Sequence, residues 1–552
     1  MVVRAKVEAW IEEDVDPASR QELRDLLARS DPDARAELED RFSSRLQFGT
    51  AGLRATMGAG PNRMNRAVVI QASKGLVEYL TRAVDRPIVV VGNDGRLHSR
   101  QFAIDAASVV SGNGGVAILL PDPVPTPVLA FAVRHYCADA GVMVTASHNP
   151  ACDNGYKVYL GGRMADDDEQ GVQIISPADS EIAALIDATP PSTKITRRQG
   201  WIDAGPEILQ DYVDAITVTG TAPHPIRIVH TAMHGVGTAP GLAALVASGF
   251  TDINSVVAQR DPDPQFPTVA FPNPEEPGAI DLAIDLARMV SADVVIANDP
   301  DADRCAAGVS DPRFGWRILH GDELGAALGE YLASTGAAGV FASSIVSSRL
   351  LEMIAAHHGC GYVRTLTGFK WMGRVPGLAY AYEEAIGYCV RPDIVRDKDG
   401  LSAAVAIARL VSDLKARGRT VMDLLDDLAR RHGLHLSSQL SIRVKDVKLI
   451  PQMMTRLRTS APEKLGESPV TQVIDLSQGW DGLPATDGLI FFTQANDRVI
   501  VRPSGTEPKV KCYLEVIEDT DPQASFEDLT RIRNSAQTRL NLITEDLRAI
   551  VV

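Results

Sequence analysis

The chain has 552 residues, 45% hydrophobic and 23% charged, with a formal net charge of −16; it is too long for one core and, at roughly 150 residues per domain, suits three or four domains. The surplus of acid excludes a nucleic-acid or anionic-membrane surface as the main partner, because either would repel it, and an anionic substrate would need local positive charge. Six scattered cysteines with no C-x-x-C pair exclude a disulfide framework and a zinc site, and suit a reducing cytoplasm.

The first segment, 8–27, reads as an acidic amphipathic helix restarted at Pro17 rather than as a basic and then apolar leader. No run approaches about 18 uninterrupted apolar residues, so no membrane span is expected. F-G-T-A-G-L-R (48–54) follows, with close glycines that suit a loop approaching an anion and with Arg54 pointing into it. A plain surface turn is the alternative. Strands are expected over 87–91 and 115–120, the first ending in G-N-D-G-R (92–96), with helices over 99–110 and 127–138. G-V-M-V-T-A-S-H-N-P (141–150) then reads as a short buried strand delivering a small, polar loop stopped by Pro150. Ser147 on that loop, beside His148, suits a nucleophile or phosphoryl carrier, provided a base and an anion-stabilising group converge on it. A loop of ordinary turn bonds is the rival. Strand 154–159 carries Lys157, and the acidic run 166–169 reads as a solvated turn.

A second unit opens near 205, with a helix over 207–217 and a strand over 226–230. H-G-V-G-T-A-P-G (234–241) fails as a dinucleotide fingerprint, because its glycines are misspaced and the next strand, ending at 257–259, offers no acid to a ribose. A tight turn into a helix is expected instead. Residues 261–277 are too rich in proline for regular structure. A helix (279–290) and strand (293–298) lead to N-D-P-D-A-D-R, where Asp299, Asp301 and Asp303 alternate. An extended backbone would put all three carboxylates on one side, as hard oxygen ligands for Mg²⁺. An EF-hand loop is excluded: its sixth and twelfth positions would be Arg304 and Ser310 instead of Gly and Glu.

A third alternating unit runs from 322 to 433. It contains T-L-T-G-F-K (365–370), the pair Glu383 and Glu384 in Y-E-E-A-I-G-Y, and D-K-D-G (397–400) with Lys398. The pair suits vicinal sugar hydroxyls or plain solvent; Lys398 suits an anion, a proton donor or an exposed loop. From 434 strands and longer helices read as a smaller α+β domain. There R-P-S-G-T-E-P-K (502–509) offers successive N–H groups, two hydroxyls and flanking Arg502 and Lys509: an anion nest suited to phosphate, without P-loop spacing.

T-A-S-H-N-P, D-P-D-A-D-R, E-E-A-I-G and R-P-S-G-T-E-P-K, in that order, closely resemble the motifs of the α-D-phosphohexomutase superfamily. F-G-T-A-G-L-R, T-G-F-K-W and N-P-E-E-P-G look most like its phosphoglucomutase/phosphomannomutase branch, phosphopentomutase-type members included. The resemblance covers nearly the whole chain. It implies three related α/β domains (1–204, 205–321, 322–433) and a C-terminal α+β domain (434–552) resembling the TATA-binding protein, set around a central cleft. It also implies a phosphoserine at Ser147, Mg²⁺ held by Ser147, Asp299, Asp301 and Asp303, and charge or proton handling by His148, Lys157, Arg304 and Lys398. Thr50, Arg54, Thr367, Gly368, Glu383 and Glu384 would meet the substrate, and Arg502, Ser504, Gly505, Thr506 and Lys509 its non-reacting phosphate. The implied activity is a mutase moving phosphate between C1 and C6 of glucose, and of mannose, primed by a sugar bisphosphate. Its partner would be a small phosphosugar, with the chain a cytoplasmic monomer or homodimer. One departure from the family pattern is Ala385, where many hexomutases carry serine. It keeps open a phosphopentomutase, and a non-catalytic sugar-phosphate binder is the distant alternative.

Overall fold

The computed structural model describes residues 2–49, 52–219, 224–444, 448–504 and 509–551. The chain divides into two compact units: Met1–Gly308 with Gly373–Gly377 and Gly387–Ser412, and Val309–Met372 with Leu378–Ile386 and Asp413–Val552.

The first unit opens with three helices where the sequence suggested one interrupted helix: Val2–Glu13, Pro17–Ala28 and Pro32–Arg41. The last two start alike, at an Asp-Pro step. Asp16 and Asp31 cap the helix amides and proline takes the first turn, where no N–H is needed. Val7, Ile11, Leu23, Leu38 and Phe42 form their small core.

The first large sheet runs, in spatial order, Leu53–Thr56, Asp153–Leu160, Ala140–Val144, Ile88–Asn93, Val116–Leu119, Ile202–Asp203. Its middle three strands are parallel, with Val91 level with both Val142 and Leu119. Ala140–Val144 is buried throughout, as a strand covered on both faces must be, which is why its sequence is an unbroken apolar run. Asp153–Leu160 returns antiparallel beside it. The second sheet repeats the plan. Arg227–Thr231 lies parallel between Asp252–Ser255 and Val294–Asn298, and Cys305–Asp311 returns antiparallel. Ser147 and the three aspartates thus occupy corresponding loops, each between the third parallel strand and its return, at the carboxyl ends where α/β sheets bind ligands. Residues 257–259 are a short 3₁₀ turn rather than a strand end.

In the second unit, Val340–Ser344 is parallel to Gly361–Thr365 and Leu378–Glu383. Helices Gly321–Ser334 and Leu350–His358 accompany this sheet. An antiparallel sheet follows: Leu434–Arg443, Lys509–Glu518, Arg498–Pro503, Leu489–Thr493, Ser468–Asp475 and Lys464–Leu465. Helices Leu449–Thr459 and Phe526–Val551 belong to the same part of the chain. The fold is therefore three α/β domains followed by a C-terminal α+β domain. Within the second unit Ile345 and Val346 pack on Leu476, Ile490, Ile500 and Tyr513, which joins the last two domains. Among the described residues no helix is long and apolar enough to cross a membrane.

Candidate active site

The serine loop is a compact turn. Thr145 Oγ1 accepts from Ser147 N at 2.9 Å, and Asn149 N donates to Ala146 O at 3.0 Å. Ser147 is 2% exposed and sits at φ 52°, a left-handed conformation that costs an ordinary residue about 1–2 kcal/mol. Its Oγ donates to Asp299 Oδ2 at 2.9 Å, across 152 residues of chain, and lies 3.4 Å from His148 Nδ1. Arg54 reaches the same loop, donating from Nη1 to Asn149 Oδ1 at 3.1 Å. Gly52, expected on an anion-approaching loop, has a nearer duty: at φ +78° a Cβ there would stand 1.9 Å from Tyr156 O, so glycine lets the segment lie on the return strand.

The acidic loop corrects the expectation of an extended backbone. Ala302 N donates to Asp299 O at 2.9 Å and Ala302 sits at φ 54°; the loop is curled, and this curl, rather than strand alternation, gathers the carboxylates. One oxygen from each of Asp299, Asp301 and Asp303 lies within 4.8 Å of the others, and all three residues are buried. The turn 235–237 packs beneath them: a Cβ on Gly235 would stand 2.4 Å from Pro300 Cα, and one on Gly237 2.9 Å from Ala302 Cβ. The glycines of H-G-V-G therefore serve the approach of the aspartate loop.

Cations surround the acids. Lys157 Nζ donates to Asp301 Oδ2 at 2.8 Å and Asp303 Oδ2 at 3.0 Å. Lys398 Nζ lies 3.4 Å from Asp303 Oδ2 and 3.3 Å from Asp397 Oδ1. Arg304 gives its backbone N–H to Asp299 Oδ1 at 3.0 Å, and its Nε lies 3.7 Å from Asp303 Oδ1. Burial drives the Asp299 carboxyl well above its ordinary range, and Asp301 and Asp303 add to this. Burial opposes ionisation of Asp301 most, but the Lys157 ammonium together with hydrogen bonds to that carboxylate outweighs it and holds the carboxyl low. Asp301 and Asp303 in turn outweigh burial at Lys157 and keep it charged. Two buried oxygens, Asp301 Oδ1 and Asp303 Oδ1, have no hydrogen-bond partner. Hard oxygen donors gathered by a curled loop, two of them without a hydrogen bond, are a set that could hold a divalent cation. Thr126 was missed in the sequence: it donates to Asp301 Oδ2 at 2.7 Å and takes its N–H to Asp301 O at 2.9 Å. Thr145, which adds a contact to Asp301 Oδ2 at 3.3 Å, was missed too, though its place at the strand's end was the available signal. The run 166–169 is no plain solvated turn: Asp168 pairs with Arg396 at 2.7 Å and Glu169 with Arg374 at 3.3 Å.

The structure thus brings together Ser147, His148, Lys157, Asp299, Asp301, Asp303, Arg304 and Lys398, with Arg54 one residue removed. Apart from Thr50, the remaining expected residues lie in the second unit. Glu383 closes strand Leu378–Glu383, and Glu384 Oε2 accepts from Ser344 Oγ at 3.1 Å and Ser347 Oγ at 3.0 Å. Burial, then Glu383 and Asp322, push the Glu384 carboxyl up to about 7. Thr367 and Gly368 follow strand Gly361–Thr365, with Gly368 at φ 110°. Arg502 is level with Lys511 in the antiparallel sheet, and Ser504 N donates to Lys509 O at 2.9 Å. Thr50, Gly505 and Thr506 lie outside the described residues.

Comparison with known proteins agrees with this architecture. The domain models of the phosphoglucomutase/phosphomannomutase family match in sequence: alpha/beta/alpha domain I over residues 45–190, domain II over 210–312, domain III over 320–432, and the C-terminal domain over 454–528. A protein from Haemophilus influenzae described as a probable phosphomannomutase is 45% identical over 82% of this chain and 93% of its own. A phosphopentomutase from Mus musculus is 35% identical over 95% of this chain and 92% of its own. The crystal structure of a putative phosphomannomutase from Thermus thermophilus shares the fold, with a TM-score of 0.68 over 89% of this chain and 99% of that one, at 21% identity. The chain belongs to the phosphoglucomutase/phosphomannomutase family and is an enzyme, an intramolecular phosphotransferase of the phosphomutase type.

Proposed function

We propose that the chain interconverts the 1-phosphate and 6-phosphate of glucose, and of mannose, through a phosphoryl group carried on Ser147 and a bisphosphorylated sugar. The observation that carries this reading is the 2.9 Å contact of the Ser147 hydroxyl with Asp299, inside a buried triad of aspartates. Asp299, Asp301 and Asp303 would hold Mg²⁺ together with the Ser147 oxygen. Bound there, the ion supplies positive charge to the phosphoryl oxygens as they transfer.

The rest falls to the chain's own groups. The P–O bond to Ser147 Oγ breaks as the free hydroxyl of a sugar monophosphate forms its own bond to phosphorus. His148, 3.4 Å from Ser147 Oγ, would take the proton which that hydroxyl gives up and return it to Ser147 Oγ as the leaving oxygen. The bisphosphate then returns its other phosphate to Ser147, so a sugar bisphosphate also primes the enzyme. Lys157, Lys398 and Arg304 offset the charge of a dianionic substrate in a protein whose net charge is −16. Arg502, Ser504 and Lys509, with Gly505 and Thr506, would take the phosphate that does not react; Glu383 would take the sugar hydroxyls, with Thr367 and Gly368 beside it. Glu384, the next residue, is committed to Ser344 and Ser347.

A second reading, transfer between C1 and C5 of ribose, is kept open by Ala385, where many hexomutases carry serine, and by the relative named a phosphopentomutase, which matches 95% of this chain. Turnover of glucose 1-phosphate, mannose 1-phosphate and ribose 1-phosphate with Mg²⁺ decides between them. The first reading requires the highest kcat/KM on a hexose phosphate, and a ribose preference of tenfold or more, about 1.4 kcal/mol in transition-state binding, would replace it by the second.

A further inference from the structure

One motif of the sequence remains without a role: G-N-D-G-R, delivered by strand Ile88–Asn93. Its arginine, Arg96, is 4% exposed and turns its guanidinium onto the serine loop. Nη2 donates to Ser147 O and to Asn149 O, both at 2.6 Å; Nη1 donates to Pro150 O at 2.7 Å and to Asp153 O at 3.2 Å. Four carbonyls of one loop therefore converge on one side chain.

That side chain is itself aimed. Asp94 Oδ1 accepts from Arg96 N at 3.0 Å and from Ser99 Oγ at 2.8 Å, while Asp94 Oδ2 lies 3.3 Å from Arg96 Nε. The Phe266 ring faces the guanidinium at 5.1 Å. The planar fork matters here. A lysine ammonium in the same place would carry the charge, but its three donors diverge from one point and cannot span four carbonyls. The loop needs such a hold, because Ser147 sits in the left-handed region, which a non-glycine residue keeps only when its surroundings impose it.

We propose that Arg96 is the positioning residue of the serine loop: by gripping the Ser147, Asn149, Pro150 and Asp153 carbonyls it fixes the backbone from which the Ser147 hydroxyl reaches Asp299. This rests on Ser147 as the phosphoryl carrier, so the test has one arm that depends on that role and one that does not. The first arm compares hydrogen exchange of the Asn149 and Asp153 amides in wild type, Arg96→Lys and Arg96→Ala, without substrate. Exchange at least about tenfold faster in both variants is expected, with strands Ala140–Val144 and Ile88–Asn93 unchanged. The second arm follows phosphoryl uptake on Ser147 from glucose 1,6-bisphosphate by mass spectrometry. The uptake rate should fall about 100-fold in both variants, with KM nearly constant, and added guanidinium ion should restore part of the rate in Arg96→Ala but none in Arg96→Lys. Unchanged loop exchange in both variants overturns the inference, as does uptake within threefold of wild type. If Arg96→Ala does not fold, Arg96→Lys carries both arms. If wild-type Ser147 takes up no phosphoryl group, the carrier reading fails, and the exchange arm still decides the clamp.

Discussion

At the residue scale, the site consists of charges that satisfy one another only in part. Lys157 spans Asp301 and Asp303 and stands where part of a cation's charge is wanted. Replacing it with methionine leaves two buried carboxylates without their ammonium, at a cost of about 3–5 kcal/mol. Thermal unfolding with a chelator present should show this loss, and Mg²⁺ should raise the unfolding temperature of Lys157→Met more than that of wild type. An equal metal response in both proteins would place the cation elsewhere. Glu384 gives a prediction with a pH sign. Its folded pKa, about 7, stands above the ordinary 4.5 because burial disfavours the charge. Folding therefore favours its protonated form, and stability is lost as pH rises from the unfolded value through the folded one. Glu384→Gln removes that titration, so its unfolding temperature relative to wild type should be higher at pH 8 than at pH 5. A difference that does not change with pH would contradict the buried placement. Much of the site was legible at this scale, since Ser147, the aspartates and Lys157 are residue types with a chemistry. Thr126 was not: a lone threonine opening a helix has no signature until Asp301 folds against it.

At the element scale, two loops share one construction in two sheets. Each joins a buried parallel strand to an antiparallel return, and each contains one left-handed residue, Ser147 or Ala302. The strands could be read from unbroken valine, isoleucine and alanine runs, because burial on both faces demands such runs. The curl of the aspartate loop could not, because alternating carboxylates suit a strand as well as a turn, and the deciding contact comes from Gly235, more than sixty residues earlier. Gly235→Ala tests that contact. Its Cβ would meet Pro300 backbone at 2.4 Å, so denaturant unfolding should show a loss of about 1–3 kcal/mol, with kcat falling as the aspartates are displaced. Full activity in a stable Gly235→Ala protein would show that the loop does not rest on that turn.

At the scale of the whole molecule, the repeat between the first two sheets was invisible in the sequence because what repeats is strand order and loop placement, not residue identity. Within the second unit a buried carboxylate adds a polar tie to the apolar contact between the last two domains. Glu515 accepts from Ser348 Oγ and Arg349 N, each at 2.8 Å, pairs with Arg349 Nε at 2.7 Å and lies 3.1 Å from Arg498 Nη2. Burial opposes its charge most, but Arg498, His435 and Arg349 together outweigh it and hold the carboxyl well below the usual range. Arg498 also donates to Ile345 O and Ser347 O, and Ser347 in turn holds Glu384. The Glu383–Glu384 segment and the strand leading to Arg502 are thereby tied to one network. Glu515→Ala would strand buried Arg498 and part-buried Arg349, and the second unit should lose about 3–5 kcal/mol, read as an earlier unfolding transition by hydrogen exchange across Leu434–Arg443 and Lys509–Glu518. No loss there would show that the apolar contact of Ile345 and Val346 suffices alone.

The central claim is that the hydroxyl lying against Asp299 carries the phosphoryl group in every turnover. It is tested most directly by loading the enzyme with radiolabelled phosphate from a sugar bisphosphate, locating the label, and chasing it with unlabelled sugar monophosphate in a single turnover. The account predicts label on Ser147, complete transfer to sugar at a rate no slower than kcat, and in Ser147→Ala neither label nor turnover, the latter falling by at least about 10⁴-fold. Label on another residue, or label on Ser147 that leaves more slowly than the enzyme turns over, would contradict it.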